Sequence, residues 1–138
     1  MKLAFYKGRT RLFDRAVQWW TRGPYSHVEL VFSDGIAASS SVRDGGVRLK
    51  RIEWKPERWD FVDAIGDEGA ARRWFEAHVG QRYDYLGLFG FLWRPNGGAN
   101  RRWFCSEAVA AALGMTDAWR FCPNTLYVVQ VHSNRDVP

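Results

Sequence analysis

Apolar and polar positions change period several times along this chain, and each change marks an element. Residues 3–6 form a short apolar run of strand length. Across residues 10–21, Leu12, Phe13, Ala16, Val17 and Trp20 recur at helical spacing, and Gly23-Pro24 ends the helix they predict. Residues 27–32 return to strand character, rich in β-branched and apolar side chains. Ser33-Asp34-Gly35 is a hairpin signal, so residues 36–42 are read as the returning strand. Asp44-Gly45-Gly46 makes a second turn, and residues 47–52 alternate apolar with basic positions. The three strands make an antiparallel meander, and residues 59–65 add a further strand candidate.

The second half of the chain shifts to helical periods. Residues 67–79 read as a helix with acids at its start, as the helix dipole favours, and with Gly80 as its cap. Residues 83–92 are apolar and aromatic and suit a second short helix. Residues 94–100 form a Pro/Gly/Asn loop. An Ala-rich helix over 104–113 ends at Gly114. Pro123 opens a last helix over 123–131, although 127–131 also fits a strand. The expected class is therefore α+β, with a small antiparallel sheet packed against the helix over 104–113, in one domain spanning 1–138.

Composition agrees with a globular chain: 46% hydrophobic and 25% charged residues leave enough apolar surface to build a core. Eight Trp are more than a core of this size absorbs, so several are expected to line a cleft or stand half-exposed. The net charge of +5 is scattered over Arg9, Arg11, Arg48, Lys50, Arg51, Arg72, Arg73, Arg101 and Arg102, with no run that reads as a nucleic-acid arm. No nucleic-acid partner is expected. Attraction to an anionic polymer or a membrane surface is the alternative to a merely solvated basic surface. The first residues lack the apolar run of a signal peptide, and no stretch approaches the ~20 apolar residues of a span. The default expectation is the cytoplasm, with delivery elsewhere by another route.

Two cysteines, Cys105 and Cys122, make no disulfide framework and no metal spacing. Cys105 follows the polar loop and stands at a predicted helix start, where unpaired backbone N–H groups and the positive dipole end favour a thiolate. The same N–H groups suit the oxyanion of a tetrahedral intermediate, and Ser106 stands beside them. His27 opens the first hairpin strand, where an imidazole can take and return a proton near neutral pH. His78, inside a helix, and His132, near the C-terminus, are less well placed. Cys122 reads as structural. A Cys and a His alone are a weak signal. Their context is stronger: a His before a hairpin, then a Cys opening a late helix.

In that context the chain resembles the circularly permuted branch of the NlpC-type papain-like superfamily, which includes the lecithin:retinol acyltransferase-like proteins and the YiiX/YaeF-like hydrolases. The resemblance rests on Ser26-His27-Val28-Glu29-Leu30, Phe32-Ser33-Asp34-Gly35, Gly80-Gln81-Arg82-Tyr83-Asp84-Tyr85, Phe104-Cys105-Ser106-Glu107 and Pro123-Asn124-Thr125-Leu126-Tyr127, in that order. It implies a permuted papain-like fold, Cys105 as nucleophile, His27 as base and no cofactor. A polar orienter of the His, counted along the same hairpin, falls on Ser39, which is weaker than the family's usual residues. Glu29 is the other candidate, because two residues along a strand share a face. The sequence leaves both open.

Tyr25 lies two residues before His27 and is a candidate oxyanion donor. Tyr83, with Asp84 and Tyr85, is expected to shape the cleft, and Glu107 to cap the Cys helix. The expected activity is a cysteine amidase or peptidase acting on a peptide or cell-wall fragment. A lipid acyltransferase or thioesterase is the second reading, with residues 85–93 as its only membrane-inserting stretch. A degenerate binding module, prompted by Ser39, is the third.

Overall fold

In the computed structural model, residues 1–85 and 102–135 are described. The chain order is β1 (Lys2–Tyr6), α1 (Leu12–Thr21), β2 (His27–Val31), β3 (Ile36–Ser41), β4 (Gly46–Arg51), β5 (Trp59–Asp63), α2 (Glu68–His78), β6 (Arg82–Tyr83), β7 (Arg102–Trp103), α3 (Cys105–Ala112) and α4 (Pro123–Arg135). The class is α+β. One sheet runs β5-β1-β2-β3-β4-β6-β7, antiparallel except for the β6–β7 pair.

The expected meander is present as β2-β3-β4. The sheet is larger than expected and mixed, because β6 and β7 are only two residues long and carry no readable period. Tyr83 lies in β6, not in a helix; the rest of the helix expected over 83–92 and the loop over 94–100 fall outside the described residues, apart from Asp84 and Tyr85. Residues 123–135 settle as helix throughout, with Pro123 at the first position.

The register separates two faces. Leu3 pairs with Leu30, Phe5 with Val28, and Leu30 with Ala38, and Val47 lies on the same side of the core. These apolar side chains meet Ala71 and Phe75 of α2 and Ala108 and Val109 of α3 in one fully buried core. Each such Leu, Val or Phe contributes about 1.5–3 kcal/mol on leaving water. The opposite register positions are Tyr6 beside His27 and Trp59, Ala4 beside Glu29 and Phe61, and Ser39 beside Arg48. That face carries polar chemistry.

Two turns need glycine. Gly35 at φ 81° and Gly45 at φ 79° hold the left-handed conformations that close the β2–β3 and β3–β4 hairpins. Among the described residues no helix is long and apolar enough to cross a membrane.

Candidate active site

His27 and Cys105 are each the first residue of their element, so both sit at element ends where a side chain can reach past the sheet. α3 lies against β2 and β3. The His27 ring is within electrostatic reach of Cys105 and of Glu29. Its Nε2 is 2.7 Å from Glu29 Oε1. Nε2 donates to that carboxylate.

Glu29 is a buried charge, with 1% of its side chain exposed. Such a group is costly unless it is paired and hydrogen-bonded. Arg48, one strand beyond β3, does both. Its Nη1 donates to Glu29 Oε2 at 2.6 Å, and its Nη2 donates to Oε1. The fork geometry of guanidinium on carboxylate fixes Glu29 in place. Arg48 Nε in turn donates to Asp44 at 2.8 Å, and Lys50 Nζ donates to the same carboxylate at 2.6 Å. The line runs Cys105, His27, Glu29, Arg48, Asp44, Lys50, with alternating charge from the imidazole onward.

These contacts set the protonation states. Burial alone would lower the His27 pKa, but the charges of Cys105 and Glu29 and hydrogen bonds to both raise it to about 10. Burial alone would raise Glu29, but Arg48 and His27 bring it down to about 2. Asp44 is likewise taken down to about 2, its burial outweighed by Arg48 and Lys50. At neutral pH the ring therefore holds its proton beside an ionised Glu29.

Cys105 is fully buried and free, as is Cys122 in its own surroundings. Phe104 precedes it in extended conformation, and the Phe104 N–H donates to Glu107 Oε2 at 3.3 Å, so Glu107 caps the helix. Ala108 N–H closes the first helical turn onto the Phe104 carbonyl at 2.9 Å. The N–H groups of the first turn ahead of it have no carbonyl within the helix to meet and point toward the Cys105 end.

The remaining candidates separate. Ser39 does not meet His27: its Oγ donates to the Val28 carbonyl at 2.7 Å, tying β3 to β2, so the orienting contact belongs to Glu29. Tyr25 turns away from the thiol. Its hydroxyl donates to Asp60 Oδ2 at 2.8 Å and its ring packs on Phe5 and Tyr127. Burial, then Asp60 and Tyr127, push its pKa up. The Ser106 hydroxyl donates to the Phe121 carbonyl, holding α3 to the segment before α4. Tyr83 does approach Cys105. Burial first, then the neighbouring Cys105 and Tyr85, raise its phenol well above the usual range, so it stays a neutral donor.

His78 is structural, stacked on Trp74 at 3.9 Å with Nδ1 against the Trp74 carbonyl at 2.6 Å. His132 is exposed on α4. Cys122 is held at the start of α4 through Thr125.

A cleft of about 420 Å³ opens over the polar face, lined by His27, Glu29, Arg48, Trp59 and Tyr83 among others. Its rim includes Arg11, Arg43 and Lys55, none of which pairs with a carboxylate among the described residues, and also Glu53. No group of three His, Cys, Asp or Glu stands together in metal-binding fashion among the described residues.

Arg48 and Asp44 were not legible as site residues from sequence. The signal was the basic-apolar alternation over 47–52, which puts Arg48 and Lys50 on one strand face beside the hairpin that carries His27. No family model and no curated protein matches the chain.

Proposed function

We propose that the chain is a cysteine hydrolase that cleaves an amide bond through a thioacyl intermediate on Cys105, with His27 as acid and base and Glu29 as the residue that orients it. The observation that carries this reading is the His27 ring hydrogen-bonded to a buried, arginine-clamped Glu29 and within electrostatic reach of Cys105. A surface His–Glu pair needs no such clamp.

The chemistry follows from the arrangement. The thiol proton resides on His27 and the sulfur attacks the substrate carbonyl carbon, forming the C–S bond. First-turn N–H groups of α3 and the neutral Tyr83 hydroxyl are the donors available to the developing oxyanion. His27 then protonates the departing amine as the C–N bond breaks. Water gives a proton to His27 and attacks the thioester, and the C–S bond breaks to release the acid.

The substrate class favoured is a peptide that carries carboxylates, such as a cell-wall fragment, because Arg11, Arg43 and Lys55 line the cleft without acidic partners among the described residues. The reading as a degenerate module loses its motive, since that motive was Ser39 as the orienter. Iodoacetamide labelling tests the site. Cys105 is expected to react faster than free cysteine at about pH 6, where free thiols are almost wholly protonated. Equal rates count against an activated sulfur. On a panel of cell-wall peptides, Cys105→Ala is expected to lose all turnover; a variant that keeps it ends the mechanism.

A further inference from the structure

α1 turns a basic and aromatic face to solvent. Leu12, Arg15, Ala16 and Trp19 follow helical spacing and are all exposed, Leu12 to 82% and Trp19 to 77%. Trp20 is exposed to 39% beside Trp19, their rings 6.2 Å apart. The buried side of the helix is taken by Asp14, Val17 and Gln18, so these large apolar groups have no role in the core. The acid of α1 is spent inward: Asp14 accepts from the Arg11 N–H at 3.2 Å and from Ser26 Oγ at 3.2 Å. Around the face stand Arg9, Arg11, Arg15 and Arg22, whose guanidinium groups have no carboxylate partner among the described residues. Three of them, Arg9, Arg15 and Arg22, ring a hollow of about 460 Å³ together with Trp19 and Pro24.

We infer that this face docks on an anionic lipid surface. An exposed Leu and two Trp cost free energy in water and regain it at the headgroup level, where indoles are favoured. Unpaired arginines next to them are attracted to an anionic leaflet, and a three-arginine hollow fits a headgroup phosphate or carboxylate. Neither feature alone specifies a membrane. Apolar and cationic groups interleaved on one short helix face, with no acid among them, do. Phe13 of the same helix and Arg11 just before it also line the catalytic cleft, so docking on α1 holds the cleft mouth beside the surface. The inference is independent of which carbonyl Cys105 attacks.

Vesicle flotation of the intact chain tests it. Vesicles of phosphatidylcholine with about 30 mol % phosphatidylglycerol are expected to carry the protein, pure phosphatidylcholine vesicles far less, and added salt to release it. Arg15→Glu with Arg22→Glu is expected to lower the partition by at least about tenfold, since each reversal acts on a surface charge. Leu12→Ser with Trp19→Ser is expected to lower it as well, at unchanged charge. Both pairs are solvent-facing, and unaltered circular dichroism melts confirm that they fold. Equal binding to neutral vesicles overturns the inference. So does full binding by the Leu12/Trp19 variant, which would leave an electrostatic site for any polyanion. Tighter capture of a single-stranded oligonucleotide than of the anionic vesicles overturns it in favour of nucleic acid.

Discussion

Glu29 is the residue on which the site turns. It stands two positions after His27 on one strand, and its charge survives burial because Arg48 grips both oxygens. Replacing it by Gln keeps the shape and removes the charge. The loss takes away one of the two influences that lift the His27 pKa, so the ring gives up its proton at lower pH. Glu29→Gln is expected to lower kcat/KM by roughly 10²-fold and to move the alkaline limb of its pH profile downward. A Gln variant with an unshifted profile would mean that Glu29 only fills space. Sequence reasoning reached Glu29 through strand alternation but could not choose it over Ser39. The choice depends on which partner reaches across β3, and cross-strand register is not written in local period.

At the scale of elements, the hairpins, α1 and the Cys-bearing helix were legible, because each has a period or a turn signal of its own. The pair β6 and β7 was not: two residues cannot show a period, and their pairing comes from tertiary closure. Gly46 illustrates the closure. A Cβ there would meet the Gln81 carbonyl oxygen at 2.0 Å, so the approach of β4 to the strand after α2 requires glycine. The motif at the start of α4 has a comparable reason. Asn124 accepts from the Tyr25 N–H at 3.0 Å and donates to the Tyr25 carbonyl at 2.9 Å and to Thr21 Oγ1 at 2.7 Å. It thus pins α4 to the segment that delivers His27. Asn124→Ala leaves those backbone groups unpaired and is expected to destabilise by about 1–3 kcal/mol. Urea melts measure it, and a midpoint within error of wild type would show that the contact carries no weight.

For the whole molecule the same charges predict how stability follows pH. Glu29 and Asp44 have folded pKa values of about 2, below their ordinary values of 4.5 and 3.8. Their contribution is present above those ordinary values and is lost as pH falls toward 2. His27 is the opposite case, raised from 6.5 to about 10. Its contribution is complete below 6.5 and is lost as pH rises through 10. The Tm is therefore expected to peak between 4.5 and 6.5 and to decline on both sides. His27→Gln is expected to flatten the alkaline decline. A wild-type Tm that stays level from 6.5 to 10 would contradict the charge line read from the site.

The site is also divided unequally along the chain. His27 and Glu29 are two residues apart, and Arg48 is nineteen beyond Glu29, all within one meander. Local contacts of this kind form early in folding, whereas distant ones wait for chain closure. His27, Glu29 and Arg48 can therefore assemble before α3 arrives. Cys105 comes last, because α3 follows the meander in the chain. A nascent or unfolded chain thus carries its cysteine apart from the His27 ring. The fold brings Cys105 to His27 only in the final act of folding, so alkylation kinetics during refolding would time the moment at which the site comes into being.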